Sequence, residues 1–167
     1  MSALPAVLEG RLPTASGFGR LRAVDPQVVG SGLRTILADS GARHTVVHCC
    51  AASAPIPLLR ACGADGISVD TALLTPRGWE GLAVAVEEGL TWYAGCVPTA
   101  AQAEQSAATI AGSLAESWER LGMSAPTLRD LAVTPACGLA GRIFDEAVER
   151  QRLVVDVARD LRERAES

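Results

Sequence analysis

The sequence predicts an α/β protein of about four parallel β-α units. Three observations carry that expectation. From Arg43 onward, short apolar runs alternate with amphipathic helical segments. The apolar runs lack the polar alternation of a half-exposed antiparallel strand, as expected for parallel strands covered by helices on both faces. The composition is 49% hydrophobic but only 4% aromatic, and rich in alanine, leucine, valine and glycine, which suits closely packed layers. A length of 167 residues fits one domain over 1–167.

The elements follow in order. Residues 1–25 carry Pro5, Gly10, Pro13, Gly17 and Gly19 among short apolar runs and predict a loop-rich entry with a short helix near Ala3 to Leu8. Asp25-Pro26 is a helix start, a capping residue followed by proline at the first helical position, and the helix runs to a glycine stop at Gly41. Gly30 and Gly32 weaken it. GSGLRT falls short of a dinucleotide-binding fingerprint, because no third glycine follows and no clear strand precedes. HTVVHCC is then a strand, IPLLRAC a short helical piece, GISVD a strand, RGWEGLAVAVEEG a helix and LTWYAG a strand. A long helix from about Ala100 to Leu121, a strand at DLAVTP and a last helix from about Arg142 to Arg164 complete the series. The last helix carries an apolar stripe at Ile143, Val148, Val154, Val157 and Leu161, with Glu146, Glu149, Arg150, Arg159 and Arg162 on a solvated face.

Four β-α units are half of an eight-stranded barrel, and an open four-stranded parallel sheet has two edges to cover. Either the chain closes differently from a barrel, or it is a partial (β/α)8, TIM-barrel-like half-barrel that pairs with another copy or with a complementing half-barrel.

Charge and composition exclude several functions. A net charge of -4 leaves no basic surface for phosphate backbones, so neither nucleic acid nor an acidic membrane surface is expected as a partner. The chain has no apolar run long enough to span a bilayer and no signal-peptide pattern at its start, which predicts a cytoplasmic location. Five cysteines, at 49, 50, 62, 96 and 137, read as reduced thiols and not as a disulfide framework.

Chemistry concentrates at the carboxyl ends of the strands, where parallel α/β proteins build their sites. His48 and Cys50 end the first strand, Asp70 ends the second and Cys137 lies just past the last. Alternate residues of a strand share a face, so His48 and Cys50 point one way and Cys49 the other. Two thiolates, an imidazole and a carboxylate form a donor set suited to tetrahedral zinc. Each residue also has an ordinary role open to it. His48 could be a hydrogen-bonded structural histidine, Asp70 a cap for the loop after its strand, and Cys137 a thiol in a tight turn. Cys49 and Cys62, flanked by Val47, Leu58 and Leu59, are expected in the core.

The segments ADGISVDT and LAVTPACGLAGR, with H-x-C upstream, resemble the carboxyl-terminal catalytic region of cobalamin-independent methionine synthase. The resemblance covers roughly Val46 to Arg142 in order. In that family a (β/α)8 barrel binds zinc through an H-x-C strand end, the acidic residue of A-D-x-I-x-[IV]-E-T and the cysteine of N-P-x-C-G-L. It therefore implies His48, Cys50, Asp70 and Cys137 as zinc ligands. The implied activity is transfer of a methyl group, from a methylated folate in the family, to the thiol of homocysteine held on the metal.

Three departures are visible. Asp70 is one methylene shorter than the family's glutamate. In Tyr93-Ala94-Gly95-Cys96-Val97-Pro98, which aligns with Y-D-x-H-S-P, Cys96 stands at the position of the proton-relaying histidine. Met1-Ser2-Ala3 stands where the family has a D-E-P strand end. The expectation is a zinc-dependent thiol methyltransferase domain that does not catalyse methionine synthesis alone. The alternative is a non-catalytic α/β ligand- or metal-binding module of the same fold. A barrel of the uroporphyrinogen decarboxylase type is less favoured, since that activity needs no such ligand set.

Overall fold

Side-chain capping sets where three of the six described α-helices begin. In this computed structural model, which describes residues 3–99 and 105–166, helix α1 (Leu4–Leu8) opens with a proline in its first turn. Helix α2 (Pro26–Asp39) starts as expected, with the Asp25 carboxylate accepting from the Gln27 N–H at 2.7 Å. It stops before Gly41, whose φ of +64° suits glycine. Gly30 has a packing reason to sit inside α2, because a Cβ there would lie 3.1 Å from Leu58 Cδ1. The next elements are strand β1 (Val46–Cys49), helix α3 (Ile56–Ala61) and strand β2 (Gly66–Asp70). A short 3-10 turn, Thr71–Leu73, leads to helix α4 (Pro76–Glu87), where Thr75 Oγ1 accepts from Gly78 N–H at 3.1 Å.

Strand β3 (Thr91–Val97) is followed by helix α5 (Ala107–Glu119), capped by Ser106 Oγ accepting from Thr109 N–H at 3.1 Å. That cap starts the helix later than the expected Ala100, and residues 100–104 lie outside the described residues. A 3-10 segment (Ala125–Asp130), strand β4 (Ala132–Pro135) and the long helix α6 (Phe144–Ala165) complete the chain.

The result is an α/β protein with a four-stranded all-parallel sheet in the order β1-β2-β3-β4, flanked by helices. Strands β3 and β4 pair in register Tyr93 with Ala132, Ala94 with Val133 and Gly95 with Thr134, and the ladder is irregular between Gly95 and Val97. Burial on both faces holds fully for the first four residues of β2 but not for its neighbours. Val46 of β1 is exposed and β4 is half-buried along its length.

The chain divides into two compact units, one of Met1–Ser68 with Leu73–Leu90 and the other of Val69–Ala72 with Thr91–Ser167. The first has its core at Val47, Cys49, Ile56, Leu59, Ile67 and Leu82, all buried. Here Asp65 Oδ2 accepts from the backbone N–H and the hydroxyl of Thr45 at 2.7 and 2.9 Å, while Thr45 O accepts from Asp65 N–H and Gly66 N–H at 3.0 Å each. That clamp ties the start of β1 to the start of β2.

The second unit is centred on Trp92 and Trp118, both buried, with stacked rings 5.0 Å apart. The Trp118 indole N–H donates to Thr127 Oγ1 at 2.8 Å, so the ring is buried without stranding its polar edge. Val157 and Leu161 of α6 join this core, as the apolar stripe predicts. Ile143 does not. It is 68% exposed, because it is the extended capping residue ahead of the first helical turn. Among the described residues no helix is long and apolar enough to cross a membrane.

Candidate metal centre

Alternation along β1 sorts its side chains. Val47 and Cys49 are buried, whereas His48 and Cys50, the latter just beyond the strand, occupy the other parity and are half-buried. The expected demotion of Cys49 and Cys62 is borne out, since they are 0% and 1% exposed. The Cys62 thiol donates to Leu59 O at 2.8 Å.

His48 is held by a residue that the sequence reading passed over. Ser68, on β2, places its Oγ 2.8 Å from His48 Nδ1. Ser68 is only 8% exposed, and a hydroxyl inside the apolar run GISVD was the available signal. Buried hydroxyls are kept by a partner, and here the partner is an imidazole. With Nδ1 engaged, coordination falls to Nε2. A second-nitrogen hydrogen bond of this kind is how metal-ligating histidines are oriented.

Cys137 is delivered by β4. After Pro135 the Ala136 N–H donates to Val97 O at 2.9 Å, which carries the β3–β4 pairing one residue further and leaves Cys137 exposed just beyond it. Gly95 makes that packing feasible. A Cβ at Gly95 would lie 2.6 Å from Val69 O and 3.1 Å from Ala136 Cα, so only glycine fits.

His48 and Cys50 belong to the first unit and Cys137 to the second. Two sulfurs and one imidazole are donors that suit zinc.

Asp70, the fourth expected ligand, also lies in the second unit. Its Oδ1 accepts from Ala72 N–H at 3.0 Å and caps the 3-10 turn that follows β2, the other role the sequence left open. The next residue, Thr71, donates its hydroxyl to Gly95 O at 3.3 Å. Cys96 lies in β3 and is half-buried, and burial pushes its thiol up to about 12 from an ordinary 9.0. At neutral pH it keeps its proton. None of the five cysteines is in a disulfide.

Comparison with protein-family models, curated proteins and solved structures finds no match to this chain.

Proposed function

We propose that this chain is a zinc-binding domain that activates a thiol for methyl transfer, in the manner of the cobalamin-independent methionine synthases its motifs resemble. One observation carries the reading: His48 and Cys50 share one parity at the end of β1, and Ser68 Oγ, 2.8 Å from Nδ1, orients the imidazole as a metal-ligating histidine is oriented, while the resemblance adds Cys137. The sheet order adds support. Strands that neighbour one another in strict sequence order, all parallel, are the arrangement of a barrel segment, whereas doubly wound sheets reverse their order at a switch point. The partial (β/α)8 reading belongs to this proposal.

Zinc held by His48, Cys50 and Cys137 would supply a fixed positive charge that lowers the pKa of a substrate thiol beside it. His48 is oriented for coordination by Ser68. Cys137 is exposed, and the acceptor that the resemblance names is a thiol such as homocysteine. Asp70 holds the turn beyond β2. Cys96, protonated at neutral pH, packs as a neutral group and takes no part as a proton relay. A methylated folate is the donor the resemblance names. Four strands of an eight-stranded site are not expected to turn over without a complementing half. A cytoplasmic setting, which keeps thiols reduced, suits the donor set.

The high pKa at the relay position favours one second reading, a metal-binding module without catalysis. Zinc content after purification without chelator, combined with thermal melts, decides between them. The first reading expects one zinc per chain, its loss in Cys137→Ser, and a homocysteine-dependent rise in Tm of the zinc-loaded protein only. Zinc without the homocysteine effect leaves the module. A wild-type chain that never retains zinc removes both metal readings.

A further inference from the structure

Helix α6 has 22 residues, a length of about 33 Å. One face, Val157, Leu161 and Ala165, is buried within its own unit. A second face, roughly 100° round the helix from the first, is largely apolar and uncovered. Phe144 is 80% exposed and Val155 57%, with Val148 half-buried between them and Ala158 exposed beyond. An apolar groove floored by Leu139 and Ala147 runs beside Phe144 and Val155. Phe144, Val148, Gln151, Val155 and Ala158 follow one another at steps of four, three, four and three, the spacing of a coiled-coil seam. Contiguous exposed apolar surface of this kind marks a contact site.

We propose that a second copy of this chain covers the seam, with α6 lying antiparallel against α6. Charge decides both the occupant and its direction. Along the outer flank of the seam, Asp145 lies at the amino end and Arg152 and Arg159 follow, with Arg162 continuing the seam at the far end. Arg159 also holds Asp156 of its own helix at 3.1 Å. An antiparallel pair brings each Asp145 beside Arg159 of the partner subunit, twice by symmetry. A parallel pair would instead set Arg152 and Arg159 beside Ala147 and Val154 of the partner subunit, with no charge to meet them. The antiparallel arrangement also opposes the two helix dipoles. It is isologous, closing as a two-fold dimer that leaves no seam uncovered. Arg152 falls nearest the axis, where its long stem covers Val148 and Val155 while its guanidinium reaches water.

Sedimentation and light scattering over a wide concentration range test the dimer, with circular-dichroism melts to check that each variant folds. Wild type is expected to be dimeric. Val155→Glu, at an exposed position, is expected to be monomeric with a cooperative melt that, unlike that of wild type, does not rise with protein concentration. Asp145→Arg should weaken dimerisation by at least about tenfold, and adding Arg159→Asp to it should restore the wild-type constant. A wild-type chain monomeric at the highest concentration overturns the proposal. So does a dimer that survives both Val155→Glu and Phe144→Glu. A double reversal no tighter than the single one overturns the antiparallel pairing.

Discussion

Ser68 Oγ stands 2.8 Å from His48 Nδ1, joining β2 to β1 through side chains and fixing the imidazole plane. Ser68→Ala removes that restraint with little change in volume. Partners of this kind are worth 10–100-fold in metal affinity. The expected result is zinc binding about tenfold weaker or more, read by competition with a chromophoric chelator, with the melt of the metal-free protein shifted by only a few degrees. Unchanged affinity would mean that His48 is not a ligand.

Cys49 and Cys50 are adjacent but have opposite parity, so equivalent substitutions should separate them. Cys50→Ser is expected to abolish stoichiometric zinc, because a hydroxyl is a far poorer ligand than a thiolate. Cys49→Ala should retain one zinc per chain and lose stability, since it leaves a small cavity at a fully buried position. Zinc analysis beside urea titrations checks both. Equal zinc loss in the two variants would contradict the face assignment.

Asp65 makes stability pH-dependent at the acid end. Hydrogen bonds from the Thr45 N–H and hydroxyl hold its carboxyl below the ordinary 3.8, with a smaller contribution from His44. A lowered folded-state pKa contributes stability that is present above 3.8 and lost as pH falls through the folded value. Asp65→Asn should therefore lower the urea midpoint at neutral pH and flatten the loss of stability below about pH 4. Parallel acid limbs in the two proteins would refute the clamp.

Cys96 makes the opposite prediction at the alkaline end. Its thiol is raised by burial to about 12, so stability is complete below 9.0 and declines as pH rises from there toward 12. Iodoacetamide at about pH 8 should label the exposed Cys137 in the metal-free protein and leave Cys96 unmodified until denaturant is added, because only the thiolate reacts. Mass mapping of the labelled peptides measures this. Rapid labelling of native Cys96 would restore it as a candidate for proton transfer.

Local physics made much of the architecture legible in the chain. Asp25-Pro26 announced α2, the apolar run GISVD matched β2 residue for residue, and the stripe at Val157 and Leu161 found the buried face of α6. Strand parity alone put His48 with Cys50 and away from Cys49, because alternation is a property of the extended backbone. Ser106 starts α5 by the same local capping chemistry.

What the sequence by itself determined, then, was the order of the elements and which residues could act as ligands, since both follow from neighbours along the chain. Only the tertiary structure decided what each of them touches. It turned Asp70 onto Ala72 N–H, set Ser68 behind His48, raised the Cys96 pKa and required glycine at Gly95 against Val69 and Ala136. These outcomes depend on distances between residues remote in sequence and on the water that packing excludes, and spacing along a chain specifies neither.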